Sequence, residues 1–406
     1  MLDFAALMAP LRERSPLAVL FLTVFLDLLG FGMVIPILPL YAKTLGASKP
    51  AIGLLLASYS AMQLLWSPIW GRVSDRAGRR PVLLLSIFGS CVSQLGYALA
   101  PTLPWLIVAR AVAGICGANV TAAQAYVADV TDEKSRAGGM GMLGVAMGLG
   151  FVFGPAIGGA LAHLDPRYPF FFASALAAVN FALAWPILVE PRPAGERSAA
   201  RTLTWGDLRR TVATPRLLSL ILLLFTVSFG FANLEGTFSL FLEAQFGYRE
   251  TSASYLFVFI GGCMIVTQGA LVRPLVARVG ERALVIAGTA LMAASMLMLH
   301  FADGLALLLP SLALLSLGNG LNNPSLSSLI SRAAAGDRQG GVLGVSQAAS
   351  ACARMVGPLA GTYALGFGNT LPYLIGGAVM LVASLFAVLR IEQPRGAAVV
   401  GAPPTS

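Results

Sequence analysis

Four ionisable side chains stand inside stretches otherwise apolar enough to cross a bilayer: Asp27, Arg110, Glu235 and Arg354. A charge at the centre of a membrane costs about 2.5–3.5 kcal/mol on insertion scales, so each needs a partner or a task. Two acids and two bases suggest paired charges, which is how such residues become tolerable. A buried carboxylate can also take up a proton on one side, lose its charge and release the proton on the other, so Asp27 reads as a proton carrier. The competing reading of Asp27 is a static ion pair that holds helices together. Glu235 suits a cationic substrate or a second proton, because an acid in an apolar pocket attracts a lipophilic cation without fixed hydrogen-bond geometry.

Arg110 opens a helical stripe. Positions 110, 114, 117, 121, 124 and 128 hold Arg, Gly, Gly, Thr, Gln and Ala, so one face is polar or small while the others are apolar. Thr121 and Gln124 are thereby expected to line a wet cavity. Weaker faces of the same kind carry Tyr59 and Gln63; Ser228, Glu235 and Ser239; Asn319, Asn322, Asn323 and Ser327; and Gln347, Ser350 and Arg354. Each face alone reads equally well as hydrogen-bond glue between helices. Their joint presence along the chain favours a central substrate cavity.

The elements that must position these groups are helices. With 57% hydrophobic and 11% charged residues among 406, the chain is too apolar for a soluble globule. Runs of roughly 20 apolar residues predict twelve spans, at about 17–40, 51–70, 81–100, 104–128, 138–162, 169–189, 217–243, 252–272, 283–301, 304–331, 339–363 and 371–390. The expected class is an all-α polytopic membrane protein. A membrane β-barrel would instead show short alternating segments. A cleaved signal peptide does not fit the first segment, which is long and carries Pro36 and Pro39 where a small-residue cleavage site would stand.

Charge follows the same topology. The net +9 could point to nucleic acid, but 21 of the 27 Lys and Arg fall on segments that share one side, while Lys43, Lys49, Arg167 and Arg249 fall on the other. This positive-inside asymmetry predicts both termini in the cytoplasm and accounts for the basic balance without a nucleic-acid partner. Cys91, Cys116, Cys263 and Cys352 all lie in predicted spans and read as free thiols, with no disulfide framework and no metal spacing. No cofactor is expected.

The longest polar connection, at 190–216, divides the spans six and six. The expected organisation is a six-helix bundle over 1–189, a cytoplasmic linker over 190–216, a second six-helix bundle over 217–391 and a cytoplasmic tail over 392–406. RAGRR at 76–80 recurs as RVGER at 278–282, and GPAIGG at 154–159 recurs as GPLAG at 357–361, offset by 202 and 203 residues. An even number of spans per half gives repeats of one orientation, with a site near the midplane between them.

Between the second and third spans lies GRVSDRAGRRPV, residues 71–82. It resembles the loop signature of the major facilitator superfamily at Gly71, Asp75, Arg76, Gly78, Arg79 and Arg80. Glycines allow a tight turn. Asp75 can pair with arginines or cap a helix N-terminus, giving a cytoplasmic gate that forms and breaks in each cycle. GLGFVFGPAIGG, residues 148–159, is similar to the antiporter signature of the twelve-helix drug:proton antiporters. Its Gly150, Gly154 and Gly158 form a small-residue stripe, and Pro155 can bend the span; ordinary small-residue packing is the plainer reading. LDLLGFGMVIPILP, residues 26–39, looks like the first helix of bacterial tetracycline efflux proteins.

The resemblance implies a major facilitator fold that exports small amphipathic or lipophilic compounds in exchange for protons by alternating access, drug resistance being the associated role. An Arg at the matching place in the fourth span is associated with proton coupling in such antiporters, which gives that role to Arg110. Tetracycline pumps carry a His in the eighth span and an Asp in the ninth; this chain has neither, which argues against tetracycline itself as cargo. A metabolite uniporter or symporter of the same fold is the alternative. Nothing in the sequence points to an enzyme, since no nucleotide-binding loop, metal set or sizeable extramembrane module is visible. The expected partners are a small-molecule substrate, protons and the lipid bilayer, for a protein working as a monomer in a bacterial inner membrane.

Overall fold

A computed structural model describes residues 16–117, 119–130, 136–191, 213–334 and 339–391, together with residues 206 and 209. Among the described residues the elements are helices: α1 Pro16–Thr44, α2 Lys49–Ala77, α3 Arg79–Ala98, α4 Leu103–Cys116, α5 Asn119–Val130, α6 Arg136–Ala162, α7 Tyr168–Ile187, α8 Pro215–Phe246, α9 Glu250–Val266, α10 Val272–His300, α11 Leu305–Ala333, α12 Gln339–Ala364 and α13 Leu371–Arg390. In hydrocarbon every backbone polar group needs an internal partner, and a helix supplies one without help from elsewhere. Prolines open several of these helices, where no N–H is needed: Pro50, Pro104, Pro169, Pro215 and Pro372.

Nine helical stretches of the described residues are long and apolar enough to cross a membrane, so this is a multi-pass membrane protein. The longest stretch, Glu250–His300, covers two of the predicted spans. Its expected loop at 273–282 is not a loop. A π-helical turn over Thr267–Leu271 joins α9 to α10, and the only residue of α10 with non-helical backbone is Gly280, at φ 78° and ψ 163°. The first-half equivalent is equally abrupt: α2 ends at Ala77, α3 begins at Arg79, and Gly78 alone, at φ 110° and ψ 163°, turns the chain. A side chain would strain either backbone, which is why both positions are glycine.

The predicted span at 104–128 is interrupted. α4 stops at Cys116, with the Gly117 N–H donating to Gly114 O at 3.3 Å, and α5 resumes at Asn119. Two glycines within four residues weaken the helix at this point.

Helix pairing repeats along the chain. α1 packs on α6, α2 on α4 and α3 on α7; in the second half α8 packs on α12, α9 on α11 and α10 on α13. One apolar core is built almost wholly from residues 217–391, with Ile35 as its contribution from α1, and two smaller cores lie chiefly in the first half. Between the two sets, α1 meets α8, α2 meets α12 and α6 meets α9. The polar contacts there gather toward the ends of the helices near residues 36–53 and 239–251: Lys43 with Glu243, Lys49 with Leu365, Ser239 with Pro36 and Thr251 with Gly159. Toward the other end α2 and α12 expose Leu65, Ile69, Leu343 and Gln347.

Candidate functional site

Asp27 sits about midway along α1, half-buried, and its Oδ1 accepts a 2.7 Å hydrogen bond from Ser90 Oγ on α3. The helix that carries it is clamped by glycine. A methyl group on Gly154 would meet backbone atoms of Leu29 and Gly32, one on Gly150 would meet Leu28, and one on Gly158 would meet Met33 and Ile37. The stripe around Pro155 therefore lies directly on the Asp27 helix, and small residues let the two backbones approach.

Arg110 is buried on α4, and aromatic rings receive it. Its guanidinium carbon stands 4.7 Å from the centroid of Tyr59 and 5.8 Å from that of Phe31. Those rings are themselves 5.4 Å apart, so they form one tilted pair beneath the cation. A desolvated cation over such faces gains about 2 kcal/mol, which offsets part of the cost of burying it. Phe31 is a member of this site that charge-based sequence reading passes over; its place one turn beyond Asp27 was the available signal.

Second-half groups reach the same region. Gln63 on α2 donates through Nε2 to Gly117 O at 3.1 Å, at the break between α4 and α5, and accepts from Arg354 of α12 at 3.4 Å. Glu235 lies in the field of Arg354 and Arg110, and Tyr59 in that of Arg110, Asp27 and Arg354. Tyr59 thus has Asp27, Arg110 and Arg354 in its surroundings, and the same two arginines act on Glu235. Ser228 donates to Ser350 Oγ at 3.4 Å.

The remaining cavity candidates are more scattered. Asn323 donates to Asn319 Oδ1 at 3.1 Å, whereas Asn322, fully buried, turns toward Gly288 and donates to Met292 Sδ. Gln347 is exposed. The side chains of Thr121 and Gln124 lie outside the described residues.

At the helix ends around Gly78, the arginines separate in role. Arg79 is buried: its Nε donates to Asp129 Oδ2 at 3.0 Å and its NH1 to Ser74 Oγ at 3.0 Å. The carboxylate of Glu190 accepts the backbone N–H groups of Arg79 and Arg80 at 2.9 and 3.0 Å, satisfying the first turn of α3 with an anion placed at its positive end. Arg80 donates to Trp185 O at 2.8 Å. Gly71 and Arg76 are exposed, and the Asp75 side chain lies outside the described residues. Around Gly280 the buried acid Glu281 accepts from Ser328 Oγ at 2.8 Å and pairs with Arg332, while Arg282 donates to Val388 O at 3.1 Å. Asp129, Glu190, Glu281 and Arg332 escaped the sequence reading; the recurrence of RAGRR as RVGER was the signal for Glu281.

The description "Major Facilitator Superfamily" belongs to the family model that matches residues 20–275 and 220–404. Among curated relatives, the class C tetracycline resistance protein of Escherichia coli is 33% identical, covering 92% of this chain and 96% of its own length. Multidrug resistance protein 2 of Bacillus subtilis (strain 168) is 30% identical, covering 95% and 98%. Among solved structures, the human organic anion transporter MFSD10 (TETRAN) superposes with a TM-score of 0.71 at 26% identity, over 91% of this chain and 98% of that one. A bacterial homologue of the human lysosomal transporter Spinster, inward-facing and occupied, matches the fold with a TM-score of 0.76 at 16% identity, over 93% and 97%. With the family model matching residues 20–275 and 220–404, and relatives near one-third identity over nearly the whole length, the chain belongs to the Major Facilitator Superfamily.

Proposed function

We propose that the protein exports small amphipathic or lipophilic compounds, drugs among them, in exchange for protons. The observation that carries this reading is that Arg110, seated over Tyr59 and Phe31, and Arg354, bonded to Gln63, come to one region where Asp27 acts on Tyr59 and both arginines act on Glu235. Relatives named for tetracycline and multidrug resistance support the substrate class. The reading takes 1–189 and 217–391 as two bundles that rock about this centre, with 190–216 as the connecting linker and 392–406 as a tail.

Asp27 is the proton carrier in this scheme. Ionised, its carboxylate accepts the Ser90 hydroxyl; protonated, it is neutral and no longer needs a countercharge. Arg110 acts as the fixed countercharge that the aromatic pair keeps in place. Glu235, paired electrostatically with Arg354, offers the cation site, and arrival of a lipophilic cation competes with Arg354 for the same carboxylate. Gln63 and Arg354 join α2 to α12, so cargo binding is felt by both sets. Each pH unit of gradient supplies about 1.36 kcal/mol and each 100 mV about 2.3 kcal/mol per charge, adequate for concentrative export. Positive-inside charge supports cytoplasmic termini in a bacterial inner membrane. The glycine-turned segment 71–80 then lies inside, the end closed by Lys43 and Glu243 lies outside, and the conformation faces inward.

The test is transport in proteoliposomes under an imposed proton gradient, with ethidium and a tetracycline as cargo, comparing wild type with Asp27→Asn. Gradient-driven movement that disappears in the variant supports antiport through Asp27. Movement indifferent to both the gradient and the variant favours a uniporter.

A further inference from the structure

We propose that Lys43 and Glu243 are positioning residues for transport: their ion pair holds the closed end shut and must break each time the site opens toward it. The proposal rests on the alternating-access reading above. Lys43 Nζ lies 2.8 and 2.7 Å from the two carboxylate oxygens of Glu243, so the contact is bidentate. Each residue stands in the last turn of its helix, Lys43 in α1 and Glu243 in α8, the opening helices of the two repeats. Near-equivalent positions of two repeats can touch only close to the axis that relates them. On the alternating-access reading that axis runs along the passage, so a bond beside it ties the two halves together at this end.

The pair is reinforced around its edge. Lys49 Nζ donates to Leu365 O at 2.7 Å, Thr251 Oγ1 to Gly159 O at 3.1 Å and, one turn deeper, Ser239 Oγ to Pro36 O at 2.8 Å. Beside it a cavity of about 510 Å³ is lined by Lys43, His163, Glu243, Arg249 and Glu250, so water and ions reach the pair. The side chains are 54% and 35% exposed, and a pair in that setting contributes at most about 1 kcal/mol. A contact broken in every cycle needs that weakness, because a buried pair worth several kcal/mol would trap one state. Of the four Lys and Arg that the sequence assigns to this side, Lys43 and Lys49 both bond across the two halves, an arrangement that topology alone does not require.

Ser239→Cys, in a background with the four native cysteines replaced by Ser, reports opening, since Ser239 is 1% exposed beneath the pair. A membrane-impermeant maleimide is added from the closed side of oriented proteoliposomes, with and without a proton gradient and ethidium. Glu243→Gln should raise the labelling rate about three- to fivefold, as loss of up to ~1 kcal/mol implies. The reciprocal pair Lys43→Glu with Glu243→Lys should restore it to within about twofold. An unchanged rate in Glu243→Gln overturns the proposal while leaving alternating access intact, provided labelling in the parent responds to gradient or cargo. A raised rate that the reciprocal pair does not restore also overturns it, as general loosening. Labelling in the parent that responds to neither gradient nor cargo overturns alternating access and this proposal together.

Discussion

Arg79 and Glu281 occupy equivalent positions 202 residues apart, both buried, each following a glycine of positive φ, yet they carry opposite charge. Arg79 pairs with Asp129 and Glu281 with Arg332, the partners being 203 residues apart in turn. The repeat conserves the bond and reverses its polarity. What each half needs at this point is a tie between the start of one helix and the far end of another, and either orientation of the charges supplies it.

That reversal makes a charge swap informative. Asp129→Asn removes one carboxylate from the buried Arg79 guanidinium, which should cost up to about 3–5 kcal/mol and lower the melting temperature in detergent. Arg79→Glu combined with Asp129→Arg recreates the polarity found at Glu281 and Arg332. It should recover most of the lost melting temperature, whereas a swap no better than Asp129→Asn alone would mean that the Ser74 and Asp129 contacts fix the direction of the pair.

Helix packing at Asp27 gives a second expectation. Gly154→Leu has no room against Leu29 and Gly32 backbone, and forcing the helices apart should cost about 1–3 kcal/mol or more and abolish ethidium export. Gly144→Ala on the same helix meets nothing within 4 Å and should keep both melting temperature and export. Equal effects of the two changes would rule out the close approach as the cause.

Tyr59 offers a third. Tyr59→Phe keeps a ring face toward Arg110 and should retain export within about threefold. Tyr59→Leu removes it, with the loss of about 1–2 kcal/mol from a desolvated cation–π contact, and export should fall about five- to thirtyfold. Transport assays on reconstituted protein of matched amount decide between them.

Much of this arrangement can be read from the sequence, because apolar length dictates helices and a charge inside them is costly enough to mark a site. Asp27, Arg110, Glu235 and Arg354 stand out for that reason. Asn322 does not sort itself from Asn319 and Asn323 so simply: three amides in five residues point to different neighbours around a helix, and sequence spacing alone does not tell cavity from core. The break at Gly117 is hidden in an apolar run because tertiary contacts, here with Tyr59 and Gln63, decide whether glycines interrupt a helix. Glu190 and Glu243 are legible as acids at span ends but not as partners of Arg79 and Lys43, since those contacts bridge 111 and 200 residues.

The glycine contact between α1 and α6 also has a mechanical meaning. Side chains between helices act as cushions, shifting rotamers when one helix slides and so absorbing part of its travel. Between Gly32 and Gly154 there is only backbone, which has no rotamers to give. Displacement of α6 is therefore handed to the Asp27 helix undamped. Under the proposed scheme, Asp27 would therefore move together with α6, its surroundings changing in step with that helix rather than lagging behind it.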